Sequence, residues 1–297
     1  METLVMSPGK ASLDKLRQVA DYLADFQPDF PRRDQLRWAA VYVHGLLSKF
    51  SRKNIETMAR RLVLPTDWPA LDAKQALQNF INQSPWDENR LWRRHRVRLA
   101  EMLGQEGGLF VIQEVPFVIQ GRHSVGVHRQ FSAVLCQKVN CQVAVAIHYV
   151  SAAGHGPLAL RLYLPHSWLQ APGRLEAAGV PESYRRPASK LDIALELLDE
   201  LRDEKFPGKF AAAPGFAPSP ELTEGLAQHG LAYLGDEAKV TGIPDPSIPW
   251  KTYLHLAEKD LQRMKNDLGL DHFEGRSWRG FHHHACLVAL AFGYLLK

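Results

Sequence analysis

LFVIQEVPF at 109–117, CQVAVAIHYV at 141–150 and PLALRLYLP at 157–165 follow one another with no helical pattern between them. Each run is short, apolar and rich in β-branched or aromatic residues, so all three are predicted as strands. The pattern then alternates. LDIALELLDELRDE (191–204) carries apolar residues at helical spacing, and GKFAAAPGF (208–216) is a strand leaving into a Pro-Gly turn. SPELTEGLAQHG (219–230) is a helix capped by Ser219, and LAYLGD (231–236) is a further short strand. Two helices, about 250–268 and 281–296, close the chain. The predicted order is βββ-α-β-α-β-α.

Upstream of Gly107-Gly108 the periodicity is helical. In 13–26, Leu13, Leu16, Val19, Ala20, Leu23 and Phe26 form one apolar stripe, and 32–50 repeats the pattern with Leu36, Ala39, Ala40, Val43, Leu46 and Leu47. Ser51 is a candidate cap for the helix in 51–62, and Ser84-Pro85-Trp86-Asp87 reads as another start, with Pro85 in the first turn. The expected class is α+β: a helical domain over 1–105, DNA-binding in character, then a mixed sheet with flanking helices over 106–297. Three consecutive strands followed by alternation is the ribonuclease H-like order. In that order carboxylates on the first strand, after the fourth strand and on a late helix meet. Lys239–Pro249, with three prolines, reads as a linker.

Composition is that of a globular protein, 45% hydrophobic and 23% charged. The start METLVMSPGK lacks the apolar core of a signal peptide, and a cytoplasmic protein with no membrane partner is expected. Cys136, Cys141 and Cys286 form no CxxC and are read as small buried residues. The formal net charge is +4, and the whole excess lies in residues 1–107. It gathers on Arg52 and Lys53 and on Arg90, Arg94 and Arg98, which recur every fourth residue with Arg93 and Arg96 alongside. Such a stripe suits a phosphate backbone and makes DNA the expected partner.

Several stretches resemble a DDE insertion-sequence transposase family, the branch with a Tyr-Arg-Glu-Lys signature around its last acid. They are 46–59, 77–91, 121–155, 162–169 and 265–292, in order and nearly end to end. The resemblance implies a ribonuclease H-like fold, and it marks the catalytic positions. Where the family's first strand ends Asp-Asp-Thr-Gly-Phe, this chain reads Gln113-Glu114-Val115-Pro116-Phe117, with Glu114 matched to the catalytic acid. Where the fourth strand ends Ala-Asp-Ala-Gly-Tyr, it reads Ala212-Ala213-Pro214-Gly215-Phe216, so Ala213 stands for the second catalytic Asp. Glu258 and Lys265 keep the last acid and its lysine, while Leu254 and Lys251 replace the Arg and Tyr before them. The span from Ala213 to Glu258 is too short for the family's β-rich insertion.

Phosphodiester cleavage in this family uses two divalent metals about 3.5–4 Å apart, bridged by the central Asp. An alanine there offers no lone pair. The expectation is a nuclease-dead, transposase-derived protein that keeps DNA binding, holds no cofactor and has lost ancestral Mg²⁺ binding. Gln113, Arg276 and Arg279 are expected along the old cleft, and Asp236 is the one acid placed to compensate for Ala213. An alternative is an enzyme acting on a small molecule, with Glu114, Glu258 and Lys265 as acid and base. A still-active transposase and a decayed remnant complete the range. His282-His283-His284 point about 100° apart on a helix, so they cannot share one ion, and they are read as facing the cleft. His123, His128, His148 and His155 lack ligand spacing and are read as structural. Glu274 and Arg276 are expected to form a loop ion pair.

Overall fold

The computed structural model describes residues 8–66, 72–105, 107–132, 134–235 and 250–297. Asp236 and the 239–249 linker therefore lie outside the described residues. The chain falls into two compact units. One comprises Met1–Leu91, Met264–Glu274 and Arg279–Lys297, the other Trp92–Arg263 and Gly275–Trp278.

The first unit is helical. Its elements are α1 (Pro8–Leu23), a 3-10 turn (Ala24–Asp29), α2 (Arg33–Leu47), α3 (Ile55–Arg61), α4 (Ala73–Asn82) and α11 (Trp278–Leu295). The α1 stripe is buried at Leu16, Val19 and Leu23, as the spacing predicts, and α2 is buried at Ala39, Ala40, Val43 and Leu46. Two helix starts fall later than expected. Asn54, not Ser51, caps α3 by accepting from Thr57 N at 2.9 Å. Asp87, not Ser84, caps α5 (Glu88–Leu103) by accepting from Asn89 N at 3.0 Å. The indole of Trp86 donates to Phe80 O and stacks on Phe80, holding 84–87 out of the helix. That burial outweighs the local preference of Ser-Pro for a helix start.

His283 and His284 face neither solvent nor a cleft; both are buried in this unit. The His283 ring stacks on Trp86 at 3.5 Å, with its nitrogens 2.9 and 3.0 Å from Ile81 O and Trp86 O. His284 Nδ1 lies 2.9 Å from Tyr42 Oη, and its Nε2 lies 3.0 Å from Gly269 O. Burial pulls both rings down, His283 to about 3 and His284 to about 4, so both are neutral.

The second unit holds the sheet: β1 (Leu109–Val118), β2 (His128–Ser132), β3 (Gln137–Ser151), β4 (Gly154–Leu162), β5 (Phe210–Ala212) and β6 (Ala232–Tyr233). β1 and β3 are antiparallel, β4 is antiparallel to β3, and β5 and β6 run parallel to β1. With β2 set aside, the order β4-β3-β1-β5-β6 is the ribonuclease H-like arrangement expected above. β2 was not expected. It shares one edge of β3 with β4, taking 137–141 where β4 takes 144–151. Its exposed polar composition, HRQFS, gives no strand pattern.

From Cys141 to Ser151 every residue of β3 is buried, because both faces of the sheet are covered. α8 (Lys190–Asp203), started by a Ser189 capping box, lies on one face, and α10 (Trp250–Asn266) lies on the other. α6 (His166–Leu169), α7 (Pro172–Ala177) and α9 (Pro220–Gln228) fill the connections. Gly108 is the entrance to β1: a Cβ there would sit 1.9 Å from Tyr149 Oη. Among the described residues, no helix is long and apolar enough to cross a membrane.

Candidate functional site

Parallel pairing of β1 with β5 sets Val111 beside Ala212, so the chain leaves both strands at the same end of the sheet. Val111 and Ala212 share one apolar cluster with Leu109, Val150, Phe210, Tyr253 and Ala257. Gln113 lies two residues past Val111, Ala213 one past Ala212, and Glu258 one past Ala257. A single cluster therefore anchors all three positions.

β1 alternates, and the alternation separates the paired positions 113 and 114. Gln113 shares the face of Leu109 and Val111, which α10 covers. Its Oε1 is buried and accepts no hydrogen bond from a described residue. Glu114 points to the opposite face, where Lys190 Nζ, from the first turn of α8, donates to its Oε2 at 2.5 Å. Residues 113 and 114 read alike in a linear alignment; only the pleat tells them apart.

Ala213 is buried at the head of a turn in which Phe216 N donates to Ala213 O at 3.2 Å. Gly215 has φ of 89°, which the third position of a Pro-Gly type II turn requires. The turn thus sets Ala213 at its first position. Glu258 is exposed on α10. Gln113, Ala213 and Glu258 offer an amide oxygen, a methyl group and one exposed carboxylate. That set does not fit a two-metal centre, which needs carboxylates that bridge and neutralise both ions. Among the described residues, no group of three or more His, Cys, Asp or Glu is arranged to hold a metal.

The remaining candidates separate. Lys265 lies half-buried further along α10, and burial lowers its ammonium while Asp271 raises it. Arg276 is exposed in the sheet unit, where its carbonyl accepts from Val125 N at 3.1 Å. Arg279 belongs to the helical unit and donates to Gln83 O at 3.1 Å. Glu274 pairs with Arg52 at 2.8 Å, not with Arg276.

Lys53 is corrected: it is 4% exposed, and its Nζ donates to Leu46 O and Ser48 O at 2.5 Å each, closing the carboxyl end of α2. Buried and consumed in this way, it is not a phosphate contact. Arg96 is likewise internal, bound to both oxygens of Glu204 at 2.6 and 2.7 Å. On α5, Arg90 is exposed and lies 3.7 Å from an Asp29 oxygen, while Arg94 and Arg98 are half-buried.

The histidines also divide. His155 Nδ1 lies 2.6 Å from Asp260 Oδ2, a pair that the spacing gave no hint of because Asp260 is on α10. His148, from β3, is fully buried with neither nitrogen bonded to a described residue, and burial pushes it down to about 4. Cys141 and Cys286 are buried as expected, whereas Cys136 is exposed in the turn between β2 and β3.

A sheet ordered β4-β3-β1-β5-β6 with helices on both faces defines the ribonuclease H-like fold class. Residues 25–238 match the DDE superfamily endonuclease family, and the chain belongs to that family. It is 28% identical over 169 residues to the probable transposase for insertion sequence element IS701 of Microchaete diplosiphon. The match covers 57% of this chain and 40% of that transposase. No solved structure matches the chain.

Proposed function

We propose that this chain is a transposase-derived cytoplasmic DNA-binding protein that no longer cuts DNA. One observation carries the reading. Ala213 stands where the resemblance puts the second catalytic acid, Glu114, its match for the first, is bound to Lys190 on the α8 face, and Gln113 on the α10 face carries only an amide. Of the two carboxylates on α10, Glu258 is exposed and Asp260 is bound to His155, and among the described residues no group of three or more His, Cys, Asp or Glu is arranged to hold a metal. DNA binding is supported by family membership and by the Arg90, Arg94 and Arg98 stripe on α5. Arg52, exposed but paired with Glu274, is a weaker contributor, and Lys53 is none.

The experiment uses the full chain and labelled duplex DNA, with and without Mg²⁺ or Mn²⁺. Binding is expected without metal and without nicking, and log K should fall linearly with log[salt], by about 0.9 for each phosphate neutralised. Changing Arg90, Arg94 and Arg98 together to Ala should weaken binding and flatten that slope. Mn²⁺-dependent nicking abolished by Glu258→Ala would overturn the silent reading. No binding at about 100 µM in physiological salt, weaker than ordinary non-specific affinity, would overturn the DNA reading.

A further inference from the structure

From the β1–β3 ladder we infer that the β2–β3 ribbon is a second DNA-contacting surface, lying in a groove of duplex DNA with Phe131 against the bases. The inference rests on the DNA-binding reading above.

β1 ends at Val118, opposite Cys141, and β2 and β3 continue past it as a two-stranded ribbon. Antiparallel pairing sets Phe131 opposite Lys138 and Arg129 opposite Asn140, on one face. Counting along β3, that face is the one holding Ala146, the partner of Gln113, so the ribbon extends the α10 side of the sheet. Phe131 is 63% exposed, Val134 at the turn is 56% exposed, and Arg129 and Lys138 are exposed beside them. Among the described residues neither Arg129 nor Lys138 has an ion pair. The ribbon's base is firm. Asn140 Nδ2 donates to Ile119 O and Gly121 O, Gln142 Nε2 donates to Val125 O, and Val125 N donates to the carbonyl of exposed Arg276.

Charge selects the partner. No aspartate or glutamate occurs between Glu114 and Glu176, while Arg122, Arg129, Lys138 and Arg174 do, beside the buried Arg161. An acid-free stretch presenting an aromatic ring between two cations suits a polyanion that also exposes flat apolar surface, which is DNA. A polyanion without bases has nothing for Phe131 to touch. A two-stranded ribbon is narrow enough for the major groove, and apolar side chains on such elements contact base edges or wedge between base steps.

The test compares the full chain with Phe131→Ala and Arg129→Gln/Lys138→Gln, using duplex DNA and heparin as probes. The double variant should flatten the log K against log[salt] slope by up to about 1.8. Phe131→Ala should weaken DNA binding about tenfold with the slope unchanged, and leave heparin binding unchanged. All three positions are exposed, so thermal midpoints should match the wild type. Exposed Cys136 provides a readout without mutation: saturating DNA should slow its alkylation. If the wild type binds DNA but both variants keep its affinity and slope, or Cys136 is unprotected, the ribbon assignment falls and the DNA reading stands. Equal losses on DNA and heparin for Phe131→Ala would remove the base contact. A wild type that binds no DNA removes the underlying reading instead.

Discussion

The two faces of the sheet treat charge in opposite ways. On the α8 face every buried cation has an acid. Lys190 meets Glu114, Arg161 meets Glu196 and Glu200, and Arg96 meets Glu204. On the α10 face the polar groups near β1 and β3 are sparse, and Gln113 Oε1 and both His148 nitrogens have no partner among the described residues. Carboxylates on the first face are consumed in ion pairs that hold the fold together. One strand supplies both faces, and a shift of one residue moves a side chain from one regime to the other.

The largest effect should come from breaking the charge ladder. Arg96 is 4% exposed at its side chain, and Arg96→Ala would strand Glu204, itself only 14% exposed. A loss of about 3 kcal/mol or more is expected in urea unfolding, because an unpaired buried charge remains. A change below about 1 kcal/mol would mean that water already screens this face.

The faces are compared directly by rebuilding metal ligands. Gln113→Asp with Ala213→Asp should raise Mn²⁺ affinity at least about tenfold by calorimetry, since affinity follows the number of charged ligands. Adding Glu114→Gln to that variant should leave the regained affinity unchanged, because Glu114 faces α8. If Glu114→Gln abolishes it, the two faces have been assigned the wrong way round.

A smaller effect concerns His148. Burial holds its folded value at about 4 against an ordinary 6.5, so between these the unfolded chain binds the extra proton. Its contribution to stability is complete above pH 6.5 and is lost as pH falls toward 4. His148→Leu should flatten the acid side of the stability curve by up to about 1.4 kcal/mol per pH unit, one proton's worth. At pH 7 it should change stability little, since neither nitrogen has a partner to lose. An unchanged acid slope would place the proton uptake on the other histidines that burial lowers, His44, His95, His283 and His284.

Hydrophobic period was enough to read the strand order, the closing helices, the α1 and α2 stripes and the Ser219 cap, since burying those residues is what forms the elements. The Pro-Gly turn after Ala212 was legible because Gly215 needs a positive φ. β2 was not, because an exposed ribbon strand has no buried face to impose a period. Motif order names candidate positions and carries no orientation. Gln113, Glu114, Ala213 and Glu258 were singled out by motif order, and which of the first two faces α10 is set by the pleat and by which helix covers each face. Lys53 shows the same limit. Beside Arg52 in sequence it reads as surface charge, yet the open carbonyls at the end of α2 draw it inside. Local spacing determined the elements; long-range packing, which alone fixes where a side chain meets solvent or a partner, decided what each charge is for.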